Sequence, residues 1–142
     1  MSNKQHQEIL GLDIGTKRTG VARMHTASRL PEPLGIIDMK GNEEFISMIK
    51  KYITEHNSES IVVGVPRGLN RQDTDQTRIT MKTVSLLKES LQDMSIFLID
   101  ETGSSVEGRM RSKNAKHIDD HAAAVILEDF AAAWDRGDYV SK

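Results

Sequence analysis

Two short, uninterrupted apolar runs limit the fold of this chain most strongly. SIVVGVP (60–66) and SIFLID (95–100) are rich in β-branched residues and lack the polar alternation of a half-exposed strand. Such runs are typical of central strands that are covered on both faces. A helix is predicted between them from apolar residues that share one face, namely Met81, Val84, Leu87 and Leu91. We therefore expect a sheet whose strands are joined by helical crossovers.

The N-terminal region predicts an antiparallel extension of that sheet, because three more strand patterns follow one another with only turns between them. These strands are EILGLDI (8–14), TGVARMH (19–25) and LGIIDM (34–39). Helical spacing predicts a helix over 42–56, with Asn42 as its N-cap, and a last helix over 119–136. The expected fold class is α/β, a mixed five-stranded sheet with an antiparallel three-strand part and helices on both faces. We expect one domain over 1–142 with an ordered core at about 8–136.

Composition excludes several kinds of protein and site. The 19 basic and 21 acidic residues give a formal net charge of −2, so any nucleic-acid binding must come from a local basic patch. The chain has no cysteine, which excludes disulfides and thiolate metal sites and fits a reducing compartment. No apolar run approaches the roughly 18–20 residues of a membrane span, and the start MSNKQHQEI lacks a signal-peptide core. We therefore expect a cytoplasmic protein.

Acidic residues stand where open α/β sheets place their sites, at strand ends or on a helix that faces the sheet. Asp13 lies late in the first strand, Glu101 just past the end of the last strand, and Asp119 and Asp120 at the start of the last helix. On a helical projection Asp119 lies about 36° from the centre of the apolar face and Asp120 about 64° from it. A carboxylate inside an apolar face needs a partner, which favours Asp119 as a metal ligand and leaves Asp120 as the fallback.

Each of these residues also has a structural interpretation. Asp13 could accept hydrogen bonds from turn amides, Glu101 could be an ordinary polar strand end, and either helical aspartate could be an N-cap. These carboxylates could act together only if the fold brings them close to one another. Two or three carboxylates then bind Mg²⁺ or Mn²⁺ through oxygen, and such ions promote phosphodiester cleavage. His117 and His121 lack a zinc-binding pattern, although His121 could carry a proton.

Basic residues suited to phosphate groups surround these acids, and the segment GRMRSKNAKH carries four of them with no acid between. The candidate substrate-binding residues are Lys17, Arg18, Arg109, Arg111, Lys113 and Lys116, with Arg67, Arg71 and Arg78 as further cations. Aromatic residues make up only 4% of the chain, so binding by extensive base stacking is poorly supported.

Four motifs, LGLDIGTKRTGVA, IVVGVP, IFLIDE and KHIDDHAAAVIL, resemble in order and spacing the YqgF/RuvX family of RNase H-like proteins. These proteins are regarded as Holliday junction resolvases and as nucleases that mature the 5′ end of pre-16S rRNA in ribosome biogenesis. The resemblance covers residues 8 to 131 and implies an RNase H-like, divalent-metal nuclease. It implies that Asp13, Glu101 and Asp119 are catalytic and hold Mg²⁺ or Mn²⁺, and that Lys17 and Arg18 contact the substrate backbone.

The chain departs from the family pattern in two places. Thr102 stands where an arginine usually follows the glutamate, and the loop after the fourth strand reads GVPRGLNRQD. The missing arginine leaves open how a phosphate is held near Glu101, for which Arg109 or Arg111 could substitute.

Other functions remain open on sequence alone. The substrate could be precursor rRNA or four-way DNA, ribosomal particles are a further candidate partner, and the chain could be a monomer or a weak homodimer. The motif DIGTKRTG is also similar to the phosphate-binding hairpin of actin-like ATPases and sugar kinases, but 142 residues leave no room for their second lobe. A noncatalytic RNA- or ribosome-binding protein is the third alternative.

Overall fold

A computed structural model describes residues 6–102, 118–136 and 140–141, with side chains described over 6–101 and 121–136. The strands are β1 (Glu8–Ile14), β2 (Arg18–His25), β3 (Glu32–Asp38), β4 (Ser60–Arg67), β5 (Ser95–Thr102) and β6 (Val140–Ser141). The helices are α1 (Asn42–His56), α2 (Asp75–Ser90) and α3 (Ile118–Arg136). None of the helices in the described residues is long and apolar enough to cross a membrane.

The strands form one mixed sheet in the order β3-β2-β1-β4-β5-β6. The first three strands are antiparallel neighbours, β4 and β5 run parallel to β1, and β6 is antiparallel to β5. The predicted mixed α/β fold is therefore confirmed. The two-residue strand β6 was not predicted, because a segment that short has no periodicity to detect.

Several predicted element ends differ from the structure, among them the starts of α1 and β3. Asn42 is already the first residue of α1, and the N-cap is Gly41, whose carbonyl accepts from Phe45 N at 3.0 Å. The prediction failed because a glycine cap supplies no side-chain hydrogen bond and so leaves a weak sequence signal. Strand β3 begins at Glu32, two residues before the predicted start, since its pairing with β2 continues through Pro33 across an irregularity.

Each face of the sheet has its own apolar core. Strand residues of one parity, such as Leu10, Leu12 and Val63, pack against α1 and α2. Residues of the other parity, such as Ile9 and Val62, pack against α3. This division explains the continuous apolar runs of β4 and β5, since both of their faces are covered. Helices therefore lie on both faces, as predicted.

Two glycines allow α3 to lie close against the sheet. A Cβ atom at Gly11 would lie 2.6 Å from Leu127 Cγ, and one at Gly64 would lie 2.5 Å from Ile126 Cδ1. Phe130 follows Ile126 by one helical turn, and its ring lies 5.5 Å from that of Phe97. Phe97 is nearer the start of β5 than Ile99, the ladder partner of Gly64. The helix therefore runs antiparallel to β1, β4 and β5, and its first turn lies towards their carboxyl ends.

An ion network joins strands at the other end of the sheet, where β1 begins. Arg23 donates from Nε and Nη2 to both carboxylate oxygens of Glu8, at 2.6 and 2.7 Å, and from Nη1 to Glu32 at 2.8 Å. These bonds, first those to Glu8, raise the pKa of Arg23 above its ordinary value. The network joins the first three strands at the amino end of β1, away from the candidate site.

Candidate active site

Asp13 lies near the carboxyl end of β1, in the interior of the sheet. Its strand neighbours are Gly20 in β2 and, on the other side, β4. Because side chains alternate along a strand, Asp13 shares the α3 face with Ile9 and Gly11. Its side chain is half-buried, in contrast to the fully buried Leu12 and Ile14 that flank it. A carboxylate is therefore fixed by a central strand at the rim of the α3 core.

Glu101 lies on the same face, two strands away. It is in β5, paired with Pro66 of β4, and is only 8% exposed. The prediction that it lies just past the strand is wrong, because the ladder with β4 continues as far as Thr102. Its Cγ lies 3.4 Å from the position that a Cβ of Gly64 would take. The glutamate chain thus lies over β4, the strand that separates it from Asp13, at a place where β4 carries no side chain.

The first turn of α3 contains Asp119 and Asp120, whose side chains lie outside the described residues. The position of this first turn follows from the contacts made by later residues of the helix. Leu127 packs over Gly11, and one turn of helix rises about as far as two strand residues, so Ala123 lies level with Asp13. The preceding helical turn, which contains Asp119, therefore lies about two strand residues further towards the carboxyl end of β1.

The described side chains include no group of three His, Asp or Glu residues that could hold a metal ion. The third predicted ligand lies outside them, so the three-carboxylate site stays a prediction. The choice of Asp119 over Asp120 likewise rests on the sequence.

Lys17, in the turn between β1 and β2, and Arg18, the first residue of β2, lie at the same end of the sheet as Asp13. Gly15 N donates to Arg18 O at 3.0 Å, and a Cβ at Gly15 would lie 2.6 Å from that oxygen. The turn therefore requires glycine at this position. Met39 N donates to Lys17 O at 2.8 Å, which ties the turn to the end of β3. Both cationic side chains are exposed, as a role in substrate binding requires.

The remaining predicted substrate-binding residues, Arg109, Arg111, Lys113 and Lys116, lie outside the described residues, as does His117. His121 lies in α3 and is half-buried. Its proposed role as a proton carrier stays a prediction.

Helix α2 braces the carboxyl ends of β1 and β4. Gln76 Nε2 donates to Ile14 O at 3.0 Å, one residue after Asp13, and Thr77 Oγ1 donates to Pro66 O beside Glu101. Thr74 caps the helix in a reciprocal capping box with Thr77. Sequence reasoning missed these supports, although the two threonines three residues apart before an apolar-periodic stretch were the available signal.

Arg67 has a different environment from the one expected of a general phosphate-binding cation. It forms an ion pair with Asp73, and its Nε lies 3.7 Å from Asp100 Oδ1. In the ladder it is paired with Thr102. The structure therefore places an arginine on the neighbouring strand beside the position where the family pattern expects one, with two carboxylates balancing its charge.

Comparison with known proteins identifies the family. The family model described as "RuvX: Holliday junction resolvase" matches residues 7–133. This chain belongs to the RuvX family. It is 33% identical over 126 residues to a protein of Hydrogenovibrio crunogenus named "Putative pre-16S rRNA nuclease", covering 88% of this chain and 93% of that protein. A Campylobacter lari protein of the same name is 35% identical over 129 residues, covering 87% of this chain and 96% of that protein.

Solved structures of two resolvases are similar to this RuvX-family chain. Thermus thermophilus RuvC in complex with a Holliday junction substrate aligns over 96% of this chain and all of that chain, with a TM-score of 0.58 and 11% identity. The Fowlpox virus resolvase with its substrate Holliday junction DNA aligns over 89% and 97%, with a TM-score of 0.53 and 13% identity. At these identities the likeness shows the fold alone. The RNase H-like fold implied by the sequence motifs is thereby confirmed.

Proposed function

We propose that this RuvX-family protein is a metal-dependent nuclease that hydrolyses phosphodiester bonds in the precursor of 16S rRNA, at its 5′ end. One observation carries the proposal. Asp13 and Glu101 lie on the same face of the sheet, at the carboxyl ends of β1 and β5, with the side-chain-free position Gly64 on the strand between them. Two such carboxylates fixed on central strands suit a site whose ligands must stay in place.

The donor set fits a divalent metal ion. Glu101 is a nearly buried carboxylate, and Asp13 is half-buried on the same face. Carboxylate oxygens in such a setting suit Mg²⁺ or Mn²⁺, and the chain has no thiolate that would favour a softer ion. Asp13, Glu101 and Asp119 would hold the metal. Once bound, it would supply Lewis-acid polarisation of the phosphate and a water of lowered pKa.

The residues around the carboxylates would hold the polyanionic substrate. Lys17 and Arg18 are exposed where backbone hydrogen bonds fix the start of β2, at the same end of the sheet as Asp13, so they would bind phosphates near the cleaved bond. The 109–116 basic run follows β5 in the sequence and would extend that contact. His121 would carry a proton to or from the reacting strand.

Resolution of four-way DNA is the second candidate, favoured by the description of the family model that matches 127 of the 142 residues, 7 through 133. Cutting a junction symmetrically requires two active sites, hence two copies of the chain. Precursor rRNA, free or within ribosomal particles, requires only one. The rRNA function is favoured here because the relatives that match nearly their full length carry that name.

The direct test is cleavage of labelled precursor rRNA fragments and of a four-way DNA junction, with Mg²⁺ or Mn²⁺. We expect Asp13→Asn and Glu101→Gln each to lower the rate by about a hundredfold or more. The matched control is Asp93→Asn, an exposed aspartate in the turn before β5, at the opposite edge of the sheet. It should cut like the wild type.

Three outcomes separate the possible functions. Preferential cutting of the rRNA fragment supports the proposed substrate, and preferential cutting of the junction supports the second. Binding without cutting of either would refute the nuclease and leave a noncatalytic binding protein. Cutting that survives both carboxylate substitutions would refute the assigned site.

A further inference from the structure

The loop between β4 and α2 presents a strongly exposed apolar side chain next to the candidate site. Leu69 is 86% exposed, the highest value among the large apolar residues that the structure describes. A single exposed leucine is ordinary on a protein surface. Its surroundings are what distinguish this one.

The loop that carries Leu69 has a fixed shape. Gly68 N donates to Gln72 O and Arg71 N donates to Gly68 O, both at 2.9 Å. An ion pair between Arg67 and Asp73 closes the base of the loop. The exposure of Leu69 is therefore a property of a pre-ordered loop, which loses little conformational entropy when it binds a partner.

The loop also stands beside the glutamate of the candidate site. Pro66 is the ladder partner of Glu101, and Leu69 follows it by three residues. Three residues of chain span at most roughly 11 Å, so Leu69 cannot lie far from that edge. A nucleic-acid strand bound across Asp13 and Glu101 would pass within reach of the loop.

Arg71 adds a positive charge to the same loop. The neighbouring arginines Arg67 and Arg78 are paired with Asp73 and Asp75, whereas the exposed side chain of Arg71 forms no ion pair with any residue that the structure describes. Its backbone takes the left-handed conformation, at φ 59°. Its charge is thus available to a phosphate.

We propose that Leu69 contacts an unpaired base of the substrate strand while Arg71 binds a neighbouring phosphate, so that this loop selects unpaired or distorted nucleic acid. An aliphatic side chain that packs against an unstacked base, flanked by a cation on the backbone, is a recurrent mode of nucleic-acid contact. The inference rests on the proposed nuclease function, since it assigns the recognition of that substrate.

The test is binding, followed by fluorescence anisotropy, of a labelled single-stranded RNA, a blunt duplex of the same sequence and a four-way DNA junction, over a series of salt concentrations. The variants are Leu69→Ser and Arg71→Asn, the latter chosen because asparagine tolerates a left-handed conformation. The control is Leu30→Ser, which changes a leucine 73% exposed in the loop after β2, at the opposite edge of the sheet.

We expect Leu69→Ser to bind the unpaired probe about tenfold more weakly, without a change in the slope of log K against log salt. The duplex should bind as before. Arg71→Asn should weaken binding to every probe and lower the magnitude of the salt slope by about one. An effect of Leu69→Ser on the junction but not on the RNA would support the contact and identify its base as that of DNA.

The inference is overturned if Leu69→Ser binds every probe like the wild type, if it loses affinity equally for the duplex, if Leu30→Ser shows the same loss, or if the wild type binds none of the probes. Cleavage by the same proteins separates this result from the proposed function. A wild type that cuts, together with a Leu69→Ser that binds normally, refutes only the loop contact. A wild type that binds through Leu69 but never cuts refutes only the nuclease.

Discussion

The close approach of α3 to the sheet makes a strong prediction about stability. In Gly11→Ala the added methyl group would lie 2.6, 2.8 and 3.0 Å from three side-chain carbons of Leu127. Carbon atoms pack best at about 3.5–4.0 Å, so either the leucine or the helix must move by about 1 Å. Leu127 is fully buried and has no solvent to move into. Overpacking of this kind costs about 1–3 kcal/mol, partly offset by the removal of a glycine from a strand.

The second substitution, Leu127→Ala, removes the side chain that the added methyl group would meet. Alone it should cost about 3 kcal/mol, because it empties a fully buried site. In the double variant the methyl group added by Gly11→Ala occupies part of the space that Leu127 leaves. We therefore expect the double variant to lose at least about 1 kcal/mol less than the sum of the two single changes.

Urea unfolding measures this coupling, provided that the slope of the free energy against denaturant is unchanged among the variants. Gly41→Ala is the steric control, since nothing lies within 4 Å of the added Cβ; its cost should be that of replacing a glycine N-cap, up to about 1 kcal/mol, and this cost should add to that of Leu127→Ala. If the two changes at the helix contact add to within about 0.5 kcal/mol, the contact does not limit the approach of α3 and the reasoning is refuted.

Three further predictions test separate parts of the fold. Thr74→Ala removes the N-cap of α2 and should cost about 1 kcal/mol in urea unfolding; no change would show that the capping box does not stabilise the helix. Burial raises the pKa of Tyr52 above its ordinary 10.0, so its contribution to stability is complete below pH 10 and is lost as the pH rises through the raised value. Unfolding free energies on both sides of pH 10 should therefore fall less steeply in Tyr52→Phe, and identical slopes would contradict this. Glu8→Gln weakens a nearly buried pair with Arg23 and should cost about 2 kcal/mol, whereas Glu32→Gln, on a partner whose side chain is 61% exposed, should cost less than about 1 kcal/mol. Equal losses would show that burial does not set the strength of this network.

Most of the fold was predictable because its signals are local and strong. The apolar runs of β4 and β5 could be fully satisfied only inside a sheet covered on both faces, and α1 and α2 showed helical spacing. The features that were missed depend on contacts between distant segments. The two residues of β6 gain their strand conformation only from pairing with β5, and Gly41 caps α1 without a side chain.

The candidate site divides in the same way. Asp13 could be chosen as a candidate because burying a carboxylate in an apolar strand costs free energy unless it has a partner, and the family motif pointed to the same residue. That Asp13 and Glu101 share a face could not be deduced, since it depends on which strands become neighbours and on which face α3 covers. The ion pairs of Arg67 are equally invisible in sequence, because they depend on the shape of the loop and on the pairing of β4 with β5.

Thr102 replaces the arginine of the family pattern, and Arg67 lies beside it on the neighbouring strand. This arrangement affects how the chain would position Glu101. A strand end next to a carboxylate site needs something to hold it, and an arginine in the strand itself would do so by binding a carboxylate or a phosphate. Here Arg67, on the neighbouring strand and level with Thr102, lies 3.7 Å from Asp100 while it also pairs with Asp73. Since those partners already balance its charge, the arrangement favours support of the end of β5 over direct substrate binding. We therefore expect the positive charge that binds the substrate at this end of the described sheet to come from the turn after β1 and from the loop after β4, the strand between the two carboxylates.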